Sequence, residues 1–197
     1  MSNKLVVSDF DFDLVKNNLK NFLQGQSQLD KDEIQSINRA VEGFVREKKV
    51  ELKALIGNEN KVLGLEFLTN NAKRAGIIVT DSGLQYEVLK NSEGSKPKAT
   101  DTVKVNYLGT LLDGTEFDSS YSRNKPASFP LNRVIKGWTE GVQLMNVGAK
   151  YKFYVPSDLA YGARSTGKIT SHSTLIFEVE LLEITHPGKP GTREPKL

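Results

Sequence analysis

The sequence feature that most constrains the fold is a long stretch, residues 31–75, that contains no proline. Its apolar residues recur at the spacing of one helical face: Ile34, Ile37, Val41, Phe44, Val45, Leu52, Leu55, Ile56, Leu63, Phe67 and Leu68. Asp30, with Glu33 three residues later, has the form of a capping box, and Gly76 provides the end. A continuous helix of this length would measure about 60 Å, too long to fold back onto a domain of ordinary size.

Three glycines leave the shape of this helix open: Gly43, Gly57 and Gly64. Each weakens a helix interior by roughly 1 kcal/mol relative to alanine. The helix is therefore either continuous or bent near residues 57–60.

A shorter helix is predicted before it, starting after Asp13 and ending at Gly25. Its apolar face consists of Val15, Leu19, Phe22 and Leu23. One copy of the chain cannot bury this face and the start of the long helix, so we predict a homodimer formed through residues 10–60. The alternative is an intramolecular helical hairpin packed on the rest of the chain.

Beyond Gly76 the period of the apolar residues changes from helix to strand. Residues alternate at 84–88, 103–107, 152–155 and 175–181, and Asp113–Gly114 is a hairpin signal. Residues 136–145 contain the one helical pattern of this half. The predicted fold is α+β, an antiparallel sheet wrapped around one short helix and preceded by an all-α segment. The expected divisions are a helical domain with its linker helix (1–76), a sheet domain (77–185) and a disordered tail (186–197).

Composition excludes several classes of function. The net charge is only +3 with no block of basic residues, which argues against nucleic-acid binding. There is no cysteine, so disulfides and thiolate chemistry are excluded. The apolar run at the start is too short for a signal peptide or a membrane span. We therefore expect no membrane insertion and a cytoplasmic location, or a periplasmic or cell-surface one if a leader precedes this sequence.

Motifs for covalent, nucleotide or metal chemistry are incomplete. The run GARSTGKI lacks the final hydroxyl residue of a phosphate-binding loop. The chain holds only two histidines, His172 and His186, so neither a histidine metal site nor a catalytic triad is predicted, and no cofactor is expected. Asp118 and Glu116 lie in a tight-turn region without a substrate groove, which disfavours a glycosidase acid pair. Asp118 could equally cap the turn at Ser119 and Ser120.

Apolar residues of the second half could form either an ordinary core or the wall of a pocket. They are Tyr107, Phe117, Phe129, Val134, Ile135, Trp138, Tyr161, Ile169 and Phe177. The motifs SGLQY, VKVNYLGTLLDGTEFDSS, VIKGWTEGVQLM, LAYG and STLIFEVELLEI contain most of them. In order and spacing these motifs make residues 82–184 resemble an FKBP-type peptidyl-prolyl cis/trans isomerase domain. The helical part, with FLQGQSQLDKDEI and the later NEN, FLTNNAK and glycine, resembles the dimerisation segment of the macrophage-infectivity-potentiator-like branch.

The resemblance implies a prolyl pocket with Trp138 as its floor and no cofactor or metal. Ile135 would offer its backbone N–H, and Tyr161 its hydroxyl, to substrate carbonyls, while Asp118 would orient groups in the pocket. Tyr107, Phe117, Phe129, Val134, Ile169 and Phe177 would form its walls. The implied partners are X-Pro polypeptides and macrolides such as rapamycin, and the implied activity is assistance to protein folding. A non-catalytic chaperone or peptide-binding module on the same fold is the alternative.

Two departures from the family concern the rim of this pocket. Thr170–Ser171 stand where a Pro-Pro or Pro-Gly pair commonly precedes the last strand, and Ala127 stands where many members have a larger apolar residue. Both affect substrate preference and macrolide affinity more than the reaction itself.

Overall fold

The computed structural model describes residues 31–187, together with residues 16, 20, 21, 24 and 25. Its elements from residue 31 on are α1 (Lys31–Asn71), β1 (Ile77–Val79), β2 (Gln85–Lys90), β3 (Thr102–Thr110), β4 (Glu116–Ser119), β5 (Ala127–Pro130), α2 (Lys136–Val142), β6 (Lys150–Val155) and β7 (Leu175–Thr185). Short 3-10 helices occur at Leu131–Arg133 and Ser157–Leu159.

The strands form one antiparallel sheet in the order β1-β2-β6-β7-β3-β4, with β5 paired to β3. Alternate residues of β3 and β7 are buried, as the sequence period predicts. Helix α2 packs on this buried face through Trp138 and Val142. A Cβ at position 141 would lie only 2.7 Å from the ring of Phe153. Because Gly141 has no Cβ, the helix can lie this close to the sheet. The predicted fold class, a sheet wrapped around one short helix after a helical segment, is confirmed.

Helix α1 runs without interruption through residues 57–60, so the alternative of a bend there is not observed. The chain divides into two compact units, Met1–Lys49 and Val50–Leu197. The later turns of α1 therefore belong to the unit that contains the sheet, and Phe67 packs on Tyr154 of β6 with ring centroids 5.8 Å apart. We expected this helix to be too long to fold back onto a domain, and for its second half, which packs on the sheet domain, that expectation was wrong. The sheet nevertheless begins at Ile77, close to the expected division at 76–77.

Buried polar contacts fix the end of α1 to the sheet. Asn71, 3% exposed, donates from Nδ2 to Oε1 of Gln85 at 2.8 Å. Gln85 in turn donates to the carbonyl of Leu68 at 2.8 Å. Arg74 donates to Oδ1 of Asn71 at 2.8 Å and to the hydroxyl of Tyr154 at 3.2 Å. Since breaking a buried polar pair leaves an unsatisfied group, these bonds hold the last turn in one position.

Several sequence predictions lie outside the described residues. They are the apolar face at Val15, Leu19, Phe22 and Leu23, the cap at Asp30, and the tail from residue 188. His186, expected to begin that tail, is described and is bound: its Nδ1 lies 3.0 Å from Oδ1 of Asp101, a carboxylate that is 2% exposed.

Candidate functional site

A cavity of about 690 Å³ opens between α2 and the face of the sheet formed by β3, β4, β5 and β7. Nine of the ten site residues predicted from the sequence line it: Tyr107, Phe117, Asp118, Phe129, Val134, Ile135, Trp138, Tyr161 and Phe177. They come from four strands, from α2 and from the loops beside them. The fold therefore collects residues that are far apart in the sequence into one concave site.

Trp138 is the centre of the aromatic wall. Three rings meet it edge to face, Tyr107 at 5.2 Å, Phe129 at 5.6 Å and Phe177 at 5.4 Å between centroids. Phe117 continues the wall by packing on Phe177 at 5.5 Å. Such edge-to-face pairs are favoured over stacked ones by the charge distribution of aromatic rings. The indole is 4% exposed, and its Nε1 has no hydrogen-bond partner among the described residues.

One carboxylate in this apolar wall is held by two donors. Tyr107 donates its hydroxyl to Oδ2 of Asp118 at 2.5 Å. Arg123 pairs with Oδ1 of Asp118 and also donates to the Tyr107 hydroxyl at 2.7 Å. The turn after β4 is closed instead by Ser119, whose hydroxyl accepts the N–H of Tyr121 at 3.1 Å. The Ser119 backbone also interacts with the Asp118 carboxylate, so Asp118 lies on the cavity wall and contacts the turn that follows it.

The surroundings of these groups shift their proton affinities in opposite directions. Burial raises the pKa of the Asp118 carboxyl, but the hydrogen bonds from Tyr107 and Arg123 outweigh it and hold that pKa below its usual value. Burial and the neighbouring Asp118 carboxylate raise the pKa of Tyr107 to about 12. Asp118 is therefore charged and Tyr107 neutral around neutral pH.

Besides Nε1 of Trp138, the backbone N–H of Ile135 and the hydroxyl of Tyr161 are donors on the cavity wall without a partner in the described part of the chain. The carbonyl of Ile135 accepts from the N–H of Trp138 at 2.9 Å and begins α2, while the Ile135 N–H itself is not bonded. The hydroxyl of Tyr161, a residue that is 39% exposed, also makes no hydrogen bond to any described residue. A largely aromatic cavity with a few polar groups on its wall is the usual form of a site that binds a small or extended ligand.

Ile169 is the predicted site residue that the structure does not bring to the cavity. It is 4% exposed and packs in the core. Thr166 and Ile169 bond each other reciprocally through their backbones at 2.8 and 2.9 Å. This tight turn places Ile169 beneath the loop rather than on the cavity wall.

Sequence reasoning missed Arg123, which holds Asp118. It also missed further residues of the cavity lining, several of them charged: Arg133, Lys136, Asp158, Ala160, Gly162 and Arg164. The sequence carries no periodic signal for such loop residues. The one available hint was the position of Arg123 five residues after Asp118, across a predicted turn.

Comparison with known proteins agrees with this architecture. Residues 93–182 match the family described as FKBP-type peptidyl-prolyl cis-trans isomerase, and residues 2–88 match the domain amino terminal to FKBP-type peptidyl-prolyl isomerase. The FKBP-type peptidyl-prolyl cis-trans isomerase FkpA of Aeromonas hydrophila is 57% identical over 138 residues, 70% of this chain and 52% of that protein. Outer membrane protein MIP of Legionella longbeachae is 49% identical over 127 residues, 64% of this chain and 54% of that protein.

The crystal structure of FkpA from Escherichia coli is similar with a TM-score of 0.82 at 38% identity, covering 90% of this chain and 83% of that one. The chain spans about half the length of the curated relatives just named. It belongs to the FKBP-type peptidyl-prolyl cis-trans isomerase family, with the helical amino-terminal domain found in part of that family.

Proposed function

We propose that the protein is a peptidyl-prolyl cis/trans isomerase that assists protein folding and acts on X-Pro segments of unfolded or flexible polypeptides. The observation that carries this proposal is the cavity with Trp138 at its base and two unbonded donors, the Ile135 N–H and the Tyr161 hydroxyl, on its wall. Family membership supports the same reaction.

The physics of the reaction suits such a cavity. Rotation about a peptide bond faces a barrier of ~18–20 kcal/mol that arises from amide resonance, while the X-Pro isomers differ by only ~0.5–1 kcal/mol. The reaction breaks no covalent bond and needs no nucleophile. Resonance is lost in the twisted transition state, and the C–N unit becomes less polar there. An aromatic cavity that excludes water therefore favours the twisted state over the planar one.

The polar groups have separate roles in this proposal. The Ile135 N–H and the Tyr161 hydroxyl bind carbonyls of the peptide on either side of the proline and so hold the chain while the bond turns. Asp118, fixed by Tyr107 and Arg123, acts as an orienting and electrostatic group. Because its pKa is held low, it carries no proton to donate near neutrality and is not a general acid.

The experiment that tests the proposal is a protease-coupled assay on an X-Pro peptide with the purified full chain. We expect the slow phase of cleavage to accelerate in proportion to protein concentration. A folded protein, verified by circular dichroism, that gives no acceleration would instead support the non-catalytic chaperone or peptide-binding module.

We expect kcat/KM in this assay to be constant between about pH 5 and pH 9. The pKa of Asp118 lies below the usual value of ~3.9, so its carboxylate is charged throughout this pH range. The stability that this ionisation contributes is present above pH ~3.9 and is lost only as the pH falls through the lowered pKa. Tyr107, with a pKa of about 12, stays neutral, and the stability from its raised pKa is lost only as the pH rises from ~10 through about 12. A bell-shaped profile inside this window, measured with a pH-insensitive protease or by exchange NMR, would contradict the assigned roles.

The partners are proposed at two levels of detail. Proline-containing peptides follow from family membership. Macrolides such as rapamycin are a finer proposal, supported by the aromatic cavity, and inhibition in the same assay tests it. Ala127 and Thr170, both half-buried, give less apolar surface than the residues common at these positions in the family.

We also propose a homodimer formed through residues 10–60, in which the helical arms present the two sheet domains to one client. Exposed apolar side chains along α1 support it, among them Leu52 at 50% and Leu55 at 48% exposure. Sedimentation velocity on the full chain tests this assembly, and a monomer at micromolar concentration would contradict it. The functional division into a helical dimerisation domain (1–76), an isomerase domain (77–185) and a tail (186–197) is part of the same proposal.

For location we propose the cell envelope rather than the cytoplasm. The relative named outer membrane protein MIP supports this alternative, and the cytoplasmic expectation has no support among the named relatives. No helix in the described part of the chain has the length and apolar content that crossing a bilayer requires. Fractionation of cells that express the native gene tests the proposal.

A further inference from the structure

Helix α1 contacts the loop that carries the rim of the cavity, through one amide side chain. Asn60 donates from Nδ2 to Oγ1 of Thr170 at 2.8 Å and to the carbonyl oxygen of Ser171 at 2.7 Å. Ser171, 4% exposed, returns a hydrogen bond from its hydroxyl to the carbonyl of Lys53 at 3.3 Å. The turn at residues 170–173 is thereby bound at two points of α1, Lys53 and Asn60, which lie about two helical turns apart.

Two glycines let the helix come this close. A Cβ added at Gly57 would lie 2.6 Å from Oγ of Ser171, and one added at Gly64 would lie 2.4 Å from Oγ1 of Thr174. Glycine costs roughly 1 kcal/mol in a helix interior relative to alanine. Both glycines stand where the loop meets the helix, so this cost is offset by the contact they permit.

The bound turn is connected to the cavity in both chain directions. On one side, the N–H of His172, a residue with φ of 58°, donates to the carbonyl of Gly162 at 2.7 Å. Gly162 and its neighbour Tyr161 line the cavity. On the other side, β7 begins at Leu175 and places Phe177 on the cavity wall. Between these two points residues 163–168 are exposed, and their one side-chain hydrogen bond to the sheet within the described residues runs from Lys168 to the carbonyl of Glu116 at 2.8 Å.

We propose that the segment 53–64 of α1 is a positioning element of the cavity, with Asn60 as its positioning residue, which holds the turn 170–173 and through it the hydroxyl of Tyr161. This inference rests on the proposed isomerase function. The helical arm thus sets the geometry of the substrate-binding rim in addition to linking the sheet domain to the amino-terminal segment.

The expected change in the kinetic constants follows from the proposed role of the rim in binding substrate. Tyr161 is proposed to hold a substrate carbonyl in both the planar and the twisted state, so loosening it weakens both states similarly. Loss of such uniform binding raises KM and leaves kcat nearly unchanged.

Two variants and one matched control test the proposal in the full chain. Asn60→Asp keeps the shape of the side chain but replaces the donor with a carboxylate facing the Ser171 carbonyl. Gly57→Ala improves helix propensity but pushes a methyl group into Ser171. Glu66→Gln is the control, since Glu66 is exposed, lies on the same helix beyond the segment 53–64 and contacts neither the turn 170–173 nor the cavity.

We expect Asn60→Asp and Gly57→Ala to lower kcat/KM roughly 5-fold, with most of the change in KM, while Glu66→Gln stays within about 1.5-fold of the original. Unchanged kcat/KM in both test variants, with folding verified, would overturn the proposal. A loss that appears in kcat alone would overturn it too, because a loosened rim acts through binding.

Hydrogen exchange separates this inference from the proposed function. The amides of residues 161–174 are expected to exchange faster in Asn60→Asp and Gly57→Ala, whereas those of β3 keep their protection. The exchange rates can be measured and compared even if no isomerase activity is found in any variant. Unaltered exchange of residues 161–174 would show that α1 does not hold the rim.

Discussion

Trp138→Ala is expected to damage both stability and activity, and it is the largest single effect that the structure predicts. The indole is 4% exposed and is contacted edge to face by Tyr107, Phe129 and Phe177. Replacing a buried Trp or Phe by alanine costs ~3–5 kcal/mol. At ~2–4 °C per kcal/mol for a chain of this size, the melting temperature should fall by about 6–20 °C. At a temperature where the variant is folded, kcat/KM should still be roughly 100-fold lower, because the cavity loses its floor.

Phe153→Ala is the matched control for this prediction. Phe153 is fully buried and packs against Gly141, but it does not line the cavity. Its removal should cost a similar ~3–5 kcal/mol while the folded variant keeps kcat/KM within a few-fold. Calorimetry and the coupled assay at low temperature separate the two effects. If the two variants lose activity only in proportion to their loss of folded protein, Trp138 is a core residue without a role in the reaction.

The single tryptophan of the chain also makes ligand binding observable. Because Trp138 lines the cavity, an X-Pro peptide that enters should change its fluorescence, and the Asn60 and Asp118 variants can be compared by their binding curves. A cavity residue can in this way be assigned to binding or to turnover without reference to stability.

Much of the sheet domain followed from local sequence because its two long central strands, β3 and β7, alternate between buried and more exposed residues. Val103 and Val105 of β3 are fully buried, as the alternating period predicts for one face of a sheet. The Asp113–Gly114 signal likewise marks the β3–β4 turn, where Gly114 has φ of 85°. The apolar period and the turn residues are local properties of the sequence, and antiparallel pairing joins strands that are close in the sequence through such turns.

The partner of Asp118 could not be predicted in the same way. Arg123 reaches the carboxylate because the chain doubles back after β4, with Asn124 at φ of 51° and the Lys125 N–H bonded to the Ser120 carbonyl at 3.2 Å. Such a turn depends on the backbone of several residues at once. A lone arginine in a polar loop gives no periodic signal that would distinguish it from a solvated one.

The glycines of α1 were misjudged for a related reason. Gly57 was interpreted as a weak point because helix propensity is local, whereas its contact with Ser171 joins segments more than a hundred residues apart. Asn60 and Thr170, which make the neighbouring bond, are separated by 110 positions. Sequence periodicity cannot show which face of a long helix will be approached by a distant loop. Ile169 is a different case, because the family resemblance placed it on the cavity wall, whereas a tight turn places it in the core.

Asp118→Ala is expected to lower kcat/KM by roughly 10- to 100-fold, a loss of ~1.4–2.7 kcal/mol in transition-state stabilisation, with little effect on stability. The Asp118 and Arg123 side chains are 44% and 49% exposed, and exposed ion pairs contribute only ~0–1 kcal/mol. The Tyr107 hydroxyl keeps its bond from Arg123 in the variant, so no buried group is left without a partner. The melting temperature should therefore change by less than about 4 °C.

Asp113→Ala provides the comparison at the other end of the same hairpin. Asp113 is an exposed carboxylate that accepts the Thr115 N–H at 2.9 Å and lies outside the main cavity. Its replacement should change the melting temperature by as little as Asp118→Ala does and leave kcat/KM unaltered.

The kcat/KM of Arg123→Gln should lie between those of Asp118→Ala and Asp113→Ala. In this variant Asp118 keeps its charge and its bond from Tyr107 but loses the second donor. A large fall in melting temperature for Asp118→Ala, with activity lost only in step with folding, would return Asp118 to the role of a turn cap. Loss of activity in a fully folded Asp118→Ala protein assigns the carboxylate to the cavity, where its fixed charge acts on the peptide.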